Sequence, residues 1–79
     1  MLGTQIKIRR LVLGINQPEL ARRLGISVTT LSNWEVGHTS PKVSWLPHLA
    51  EALRTDIGFL LSVDTEQAIR DHDVAHREQ

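Results

Sequence analysis

One segment, NQPELARRLGISVTTLSNWE at residues 16–35, constrains the fold of this chain more than any other. Asn16 has the side chain of a helix N-cap, and Glu19 follows it at capping-box spacing. Gly25 comes just after the last apolar position of that helix, where a left-handed residue would end it. Ser27 is the next N-cap, ahead of a second amphipathic stretch. The pattern therefore predicts two short helices, at about 17–24 and 28–35, joined by a tight turn.

Residues in and around this segment match the pattern of one protein family. They are Gly14-Ile15-Asn16-Gln17, Glu19-Leu20-Ala21, Leu24-Gly25-Ile26-Ser27, Leu31-Ser32, Trp34-Glu35, Gly37 and Pro41. From about residue 3 to 62 the chain resembles the DNA-binding domain of lambdoid phage repressors and Cro, the XRE-type helix-turn-helix family. The resemblance implies an all-α fold: a compact five-helix, lambda-repressor-like domain.

The length of 79 residues suits one small domain, and there is no cysteine to form a disulfide or a thiolate metal site. We expect a helix-turn-helix DNA-binding domain at 1–62 and an acidic C-terminal extension, an arm or tail, at 63–79. No apolar run is long enough to span a bilayer, and no signal-peptide core is present near the N-terminus. These features predict a cytoplasmic protein with no membrane partner and no cofactor.

The formal net charge is zero, but the charge is unevenly distributed along the chain. Residues 1–54 carry seven basic and three acidic side chains, whereas residues 55–79 carry two basic and six acidic ones. A basic body with an acidic tail fits a nucleic-acid binder whose tail tempers non-specific binding. The alternative is that both ends are ordinary solvated charge.

A first helix is expected from Thr4, as its cap, to about Leu13, with Ile6 facing the core. Arg10 lies on the same face, where an unpaired charge would be expensive. The family resemblance implies that Arg10 pairs with Glu35 at the end of the second motif helix. The alternative is that Arg10 extends outward to solvent.

The second motif helix carries the prediction of base contact. Its outward residues form what we call the reading face: Val28, Thr29, Ser32 and Asn33. Short side chains can approach the floor of a DNA groove; valine and threonine methyls suit the thymine methyl, and asparagine can pair with adenine. No Arg or Lys occurs in this helix, which favours A·T contacts and shape readout. The alternative is an ordinary solvated face.

Phosphate contacts are expected beside the reading face. The N-terminus of the first motif helix is a natural anion site. The resemblance implies that the polar loop after the second helix runs along the phosphate backbone of DNA. By the resemblance, Gln17 also braces a side chain of the recognition helix. Val36 departs from the family, in which Asn or Arg often precedes the loop glycine. The predicted phosphate contacts are Asn16, Gln17, His38, Thr39 and Lys42.

Two further helices complete the predicted domain. The fourth would begin at Trp45, capped by Ser44, and end at 53 or 54; the fifth, capped by Asp56, would cover 57 to 61 or 62. In the family this end of the domain makes a small two-fold contact. Phe59 and Trp45 are therefore candidates for a dimer interface, with completion of the core as an equal alternative.

The extension departs from the family pattern. Asp64 and Gln67 have capping-box spacing, so a sixth helix could begin near Thr65. The segment could equally be a frayed tail, a dimerising arm or a partner-binding segment. His72 and His76 are four residues apart, but no third ligand is evident, so we predict no metal site.

The leading functional hypothesis is a sequence-specific DNA-binding transcriptional regulator. It would be a repressor that binds a pseudo-palindromic operator on double-stranded DNA as a homodimer. One alternative is the antitoxin of a toxin–antitoxin operon, which regulates its own promoter and holds a toxin partner through its tail. Another is a protein-interaction module that keeps the fold but has lost DNA binding. An enzyme is not expected, because no nucleophile with a nearby base, paired carboxylates or phosphate loop can be found.

Overall fold

The structure, a computed structural model, describes residues 2–61 and contains helices but no strand within that range. In chain order, the elements are α1 (Leu2–Val12), α2 (Gln17–Leu24), α3 (Val28–Val36), a single 3-10 turn (Val43–Trp45), α4 (Leu46–Ala52) and α5 (57–61). The predicted number and order of helices up to residue 61 are confirmed. The expectations that concern residues 62–79, including the sixth helix and the paired histidines, lie outside the described residues.

Helix α2 begins and ends where the sequence predicts. The side-chain oxygen of Asn16 accepts a hydrogen bond of 2.9 Å from the backbone N–H of Glu19. Gly25 ends the helix at φ +72°, a left-handed conformation that suits glycine. Only half of the capping box forms, because the carboxylate of Glu19 binds Arg22 and Arg23 instead.

Helix α3 is capped by Ser27, whose hydroxyl accepts from the N–H of Thr30 at 3.0 Å. The helix ends at Val36, one residue later than predicted, and Gly37 follows it at φ +85°. The Gly37 N–H bonds to carbonyls of the last turn. The helix therefore runs up to the glycine, the residue that can adopt the terminating conformation without strain.

Two predicted caps are wrong. Helix α1 begins at Leu2, so Thr4 lies inside its first turn; the preceding Gly3 has no side chain and packs directly on the backbone of Trp34. The helix also ends at Val12, one residue before the predicted end. Ser44 lies within the 3-10 turn and makes no capping hydrogen bond, because the chain has already turned before α4 begins at Leu46. That helix ends at Ala52 rather than at 53 or 54.

One apolar side chain from each helix, together with one from the segment after α4, forms the centre of the core. These residues are fully buried: Ile6, Leu20, Leu31, Leu49, Leu53 and Leu60. Trp34 is also buried among them, and Leu13, Ile15, Ile26 and Trp45 pack against the cluster from the side. Ile6 was predicted to face the core, and the buried side chains follow helical spacing, because apolar residues three or four apart share one face of a helix.

Arg9 connects α1 to the far end of the domain. Its guanidinium donates to the backbone carbonyls of Leu53 at 3.0 Å and of Arg54 at 3.1 Å, and lies 5.7 Å from the centre of the Phe59 ring. Gln5, one turn earlier, donates to the Phe59 carbonyl at 2.9 Å. These contacts satisfy carbonyls near the end of α4 and fix α5 against α1. None of the helices in the described range has the length and apolar character needed to cross a membrane.

Candidate nucleic-acid interface

The four residues of the reading face lie on the outer side of α3. Val28 and Thr29 are exposed, and Ser32 and Asn33 are half-buried. Leu31 and Trp34 occupy the opposite side of the helix and are buried in the core. The helix therefore presents short polar and β-branched side chains outward, and its opposite side packs in the core.

Hydrogen bonds show which polar residues of α3 support the helix and its following loop, and which side chain stays unbonded among residues 2–61. Thr30 is half-buried, and its hydroxyl accepts a hydrogen bond of 2.9 Å from Ser27, so it supports the start of the helix. The backbone carbonyl of Asn33 accepts from the N–H groups of His38 at 3.0 Å and Thr39 at 3.3 Å. Its side-chain amide has no hydrogen-bond partner among residues 2–61. Asn33 thus anchors the following loop through its backbone and keeps its amide available for a ligand.

The buried carboxylate of Glu35 joins α1, α2 and α3. Arg10 donates to it twice, from Nε to Oε2 at 2.8 Å and from Nη2 to Oε1 at 3.0 Å. The amide of Gln17 donates to the same Oε1 at 3.1 Å, and Nη1 of Arg10 bonds to the Ile15 carbonyl at 3.1 Å. We call these four residues the Glu35 cluster. The ion pair that the resemblance implied is present, and Arg10 does not extend to solvent.

The Glu35 cluster holds its charges in a water-poor environment. The side chain of Glu35 is 1% exposed and that of Arg10 is 9% exposed. The hydrogen bond to Glu35 and the charge of that carboxylate raise the pKa of Arg10 and outweigh burial, which acts to lower it. The guanidinium therefore stays charged, and the bidentate geometry fixes the relative orientation of α1 and α3.

The two residues at the N-terminus of α2 play different parts. Asn16 is exposed and uses its side-chain oxygen for the cap, which leaves its amide N–H groups for a ligand. Gln17 is half-buried and uses one N–H of its side chain on Glu35, a residue of the recognition helix. The side chain that Gln17 braces is thus Glu35, in the last turn of α3. One further N–H of the same amide group remains for a phosphate.

The loop after α3 is exposed at each of the positions where phosphate contact is predicted. His38, Thr39 and Lys42 all lie on the surface. Lys42 is the one lysine or arginine among the predicted DNA contacts. Val36, just before the loop, is exposed as well and adds no charge there. Among the predicted phosphate contacts, the other four residues are therefore Asn16, Gln17, His38 and Thr39, which carry no lysine or arginine charge.

The basic residues at the other end of α2 are already paired. Glu19 bonds to Arg22 at 2.7 Å and to Arg23 at 3.1 Å. The hydrogen bond from Arg22, followed by that from Arg23, lowers the pKa of Glu19. This pairing offsets part of the positive charge of the helix, so α2 contributes less to a basic surface than its composition suggests.

The structure separates the two candidates for a dimer interface. Trp45 is half-buried and packs against the core, with its ring edge-on to Trp34 at 5.4 Å between centroids and 5.5 Å from His48. Phe59 is 37% exposed and lies beside Arg9 at the surface. Of the two aromatic side chains, Phe59 is therefore the more accessible to a second molecule.

Comparison with known proteins shows which family this chain belongs to. Residues 6–60 match the family model described as Helix-turn-helix, and the chain belongs to that family. The chain is 34% identical over 67 residues to Repressor protein C2 of Salmonella phage P22, covering 85% of this chain and 31% of that protein. It is 33% identical over 72 residues to an uncharacterized transcriptional regulator in the ATPase CF(0) region of Rhodospirillum rubrum, covering 91% of this chain and 66% of that one. The chain thus spans about a third and just under two thirds of the length of these relatives.

A solved structure shares the fold. It is the crystal structure of the P22 c2 repressor protein in complex with synthetic operator 9T in the presence of Tl+. The two chains superpose with a TM-score of 0.69 at 33% sequence identity, over 76% of this chain and 91% of that one. The resemblance to lambdoid phage repressors and the lambda-repressor-like fold predicted from the sequence are confirmed.

Proposed function

We propose that this chain is a sequence-specific DNA-binding transcriptional regulator, and specifically a repressor that binds a pseudo-palindromic operator as a homodimer. The reading face of α3 would enter the major groove of double-stranded DNA, with base contacts from Val28, Thr29, Ser32 and Asn33. Asn16, Gln17, His38, Thr39 and Lys42 would contact the phosphates on either side. In this proposal residues 1–62 form the DNA-binding domain and residues 63–79 the extension.

One observation carries the proposal: the reading face points away from the core on a helix whose start and end are both fixed. Ser27 caps its beginning, and the Glu35 cluster holds its last turn against α1 and α2. Such an arrangement sets the depth and angle at which short side chains could meet base edges. The family of the chain and the operator complex of the P22 relative support the same assignment.

Operator selection followed by quantitative binding tests the proposal. A duplex selected from a random pool would be titrated with the full chain by fluorescence anisotropy at several salt concentrations. We expect log K to fall linearly with log salt, because bound phosphates release counterions. Weak binding that does not change with salt would refute DNA binding and favour the interaction-module alternative. A duplex holding one half-site would test the homodimer, whose half-sites should lie about 34 Å apart.

Substitutions then separate base contact from phosphate contact. Thr29→Ala or Asn33→Ala should weaken binding by about 1–3 kcal/mol and relax the preference at one operator position. Lys42→Ala should weaken binding to all sequences alike and reduce the salt slope by about one. Lys7→Ala is the matched control, since Lys7 is the other lysine of the chain and lies exposed on α1. If Thr29→Ala leaves the operator preference unchanged, the assigned reading face is wrong.

A further inference from the structure

Helix α1 presents an apolar face to the surface that neither the core nor the DNA-binding proposal uses. Ile8, Leu11 and Val12 are 41%, 58% and 66% exposed and lie three and four residues apart, so they share one side of the helix. We call this set the α1 apolar face. Contiguous exposed apolar side chains of this kind mark interaction sites more often than single exposed residues do.

This face borders α5, the last helix that the structure describes. Gln5 and Arg9 of α1 both contact Phe59, through the Phe59 carbonyl and ring respectively. Ile8 and Val12 lie one turn from Gln5 and Arg9 on the neighbouring side of α1. Residue 61, the last that the structure describes, belongs to α5, so residue 62 is attached to the domain close to the α1 apolar face.

We propose that the α1 apolar face is the docking site for the chain's own C-terminal segment, residues 62–79. Five apolar side chains in this segment can cover it: Val63, Ala68, Ile69, Val74 and Ala75. The segment is short and tethered two residues past Leu60, which is buried in the core, so its effective concentration at the face is about millimolar.

Charge supports the same occupant. Helix α1 carries Lys7, Arg9 and Arg10 and has no acidic residue. Arg9 and Arg10 already bind carbonyls and Glu35, whereas Lys7 is exposed at the side of the helix that carries Leu11. Residues 62–79 contain five acidic and two basic side chains. An acidic segment with scattered apolar residues complements a helix that is basic and apolar on its outer side.

A second copy of the chain is the less suitable occupant. A standard protein–protein interface uses roughly 20–30 residues on each side. The α1 apolar face offers three side chains, extended by Phe59 at its border. A surface of this size falls well short of that standard, whereas a segment that is already attached needs fewer contacts to stay bound.

Paramagnetic relaxation measured by NMR on the whole 79-residue chain tests the proposal. The chain has no cysteine, so Thr4→Cys, exposed on α1 about one turn from Ile8 and two turns from Leu11, accepts a single nitroxide label. In this sample the nitroxide and the isotope are on the same molecule, which is diluted with unlabelled protein so that only effects within one molecule are seen. We expect amide signals within 62–79 to lose most of their intensity. The control label, at Glu51→Cys on α4, should affect these signals much less.

Three results would overturn the proposal. The first is full intensity of the 62–79 signals with the label at position 4. The second is loss of intensity only when labelled and isotope-enriched molecules are mixed, which would assign the face to a second copy. The third is that the 62–79 amide signals stay in place when Ile8, Leu11 and Val12 are together replaced by serine. The proposal requires this replacement to shift them toward the signals of the isolated peptide. Replacing the exposed Val36 and Val43 by serine is the matched control and must leave them in place.

Discussion

Replacing Glu35 by alanine tests how the buried ion pair contributes to stability. The carboxylate accepts three hydrogen bonds, two from Arg10 and one from Gln17. Its removal leaves the buried guanidinium with the Ile15 carbonyl as its one remaining acceptor among residues 2–61. Because an unpaired buried charge is strongly unfavourable, we expect the free energy of unfolding to fall by about 3–5 kcal/mol. In a domain of this size, that corresponds to a Tm lower by at least roughly 12 °C.

The double variant Arg10→Met, Glu35→Leu separates the ion pair from simple packing. It removes both charges together and fills their space with apolar atoms, a change that is often neutral or stabilising. We therefore expect the double variant to be more stable than Glu35→Ala. Urea unfolding would be followed by the fluorescence of Trp34 and Trp45 and by circular dichroism, with coincident transitions as the check on two-state behaviour.

Two comparisons make this prediction refutable. Glu51→Ala removes an exposed carboxylate on α4 that has no partner among residues 2–61, so its effect should be about 0.5 kcal/mol or less. Arg10→Met alone should also be strongly destabilising, because it leaves the carboxylate of Glu35 unpaired. If the double variant loses the sum of the losses of two single variants, Arg10→Met and Glu35→Leu, the side chains act independently. That result would refute the coupling inferred from the structure.

Three further predictions follow from the helix ends and contacts. Gly3→Ala should cost about 1–3 kcal/mol in urea unfolding, because the added Cβ would overlap the backbone carbonyl oxygen of Trp34; an unchanged midpoint would contradict that close approach. Ser27→Ala should cost about 1 kcal/mol as a lost N-cap, whereas Ser44→Ala, with no capping bond, should be nearly neutral, and equal losses would contradict the assignment of caps. The pKa of Glu19 is lowered in the folded state, so its ionised carboxylate stabilises the fold near neutral pH and ceases to do so as the pH falls through that pKa. The free energies of unfolding of Glu19→Gln and the parent chain should therefore converge in acid. A difference that stays constant with pH would contradict this linkage.

The helix–turn–helix segment could be predicted from the sequence because local chemistry determines it. Asn16 and Ser27 cap their own helices, and Gly25 occupies the one position between them that requires a positive φ. These interactions span three or four residues, so the sequence displays them directly. The expectation that Ile6 faces the core is likewise confirmed, because helical spacing alone places it on the apolar side of α1.

Contacts between distant residues could be predicted only where the family resemblance supplied them. The pairing of Arg10 with Glu35 was anticipated in this way. The approach of Gly3 to the Trp34 backbone and the donation from Arg9 to the Leu53 carbonyl were not. Each contact depends on the angle and distance at which α1 packs against the rest of the domain. The apolar periodicity of a single segment does not predict these quantities.

The two misplaced caps have the same physical origin. A threonine or serine before an apolar stretch resembles an N-cap, but side-chain chemistry alone does not decide where a helix starts. Helix α1 starts before Thr4 because Gly3, which has no side chain, lets the helix backbone pack directly on the backbone of Trp34. Ser44 loses its role because a 3-10 turn already leads the chain into α4. In both cases tertiary packing moved the boundary by a few residues and left the helix itself in place.

Helix α3 carries no lysine or arginine, so the sequence specificity of the proposed interface would depend on how accurately its side chains are positioned against the bases. Gln17 stands at the N-terminus of α2, where a phosphate is expected, and bonds to Glu35 in the last turn of α3. A phosphate held by Asn16 and Gln17 would therefore also steady the network that orients the reading face. Arg10 ties the same carboxylate to α1 through two buried hydrogen bonds, so one side chain connects α1, α2 and α3. In the proposed complex, short side chains such as Thr29 would reach base edges only over a narrow range of distances, and this shared network would supply the rigidity that such contacts require.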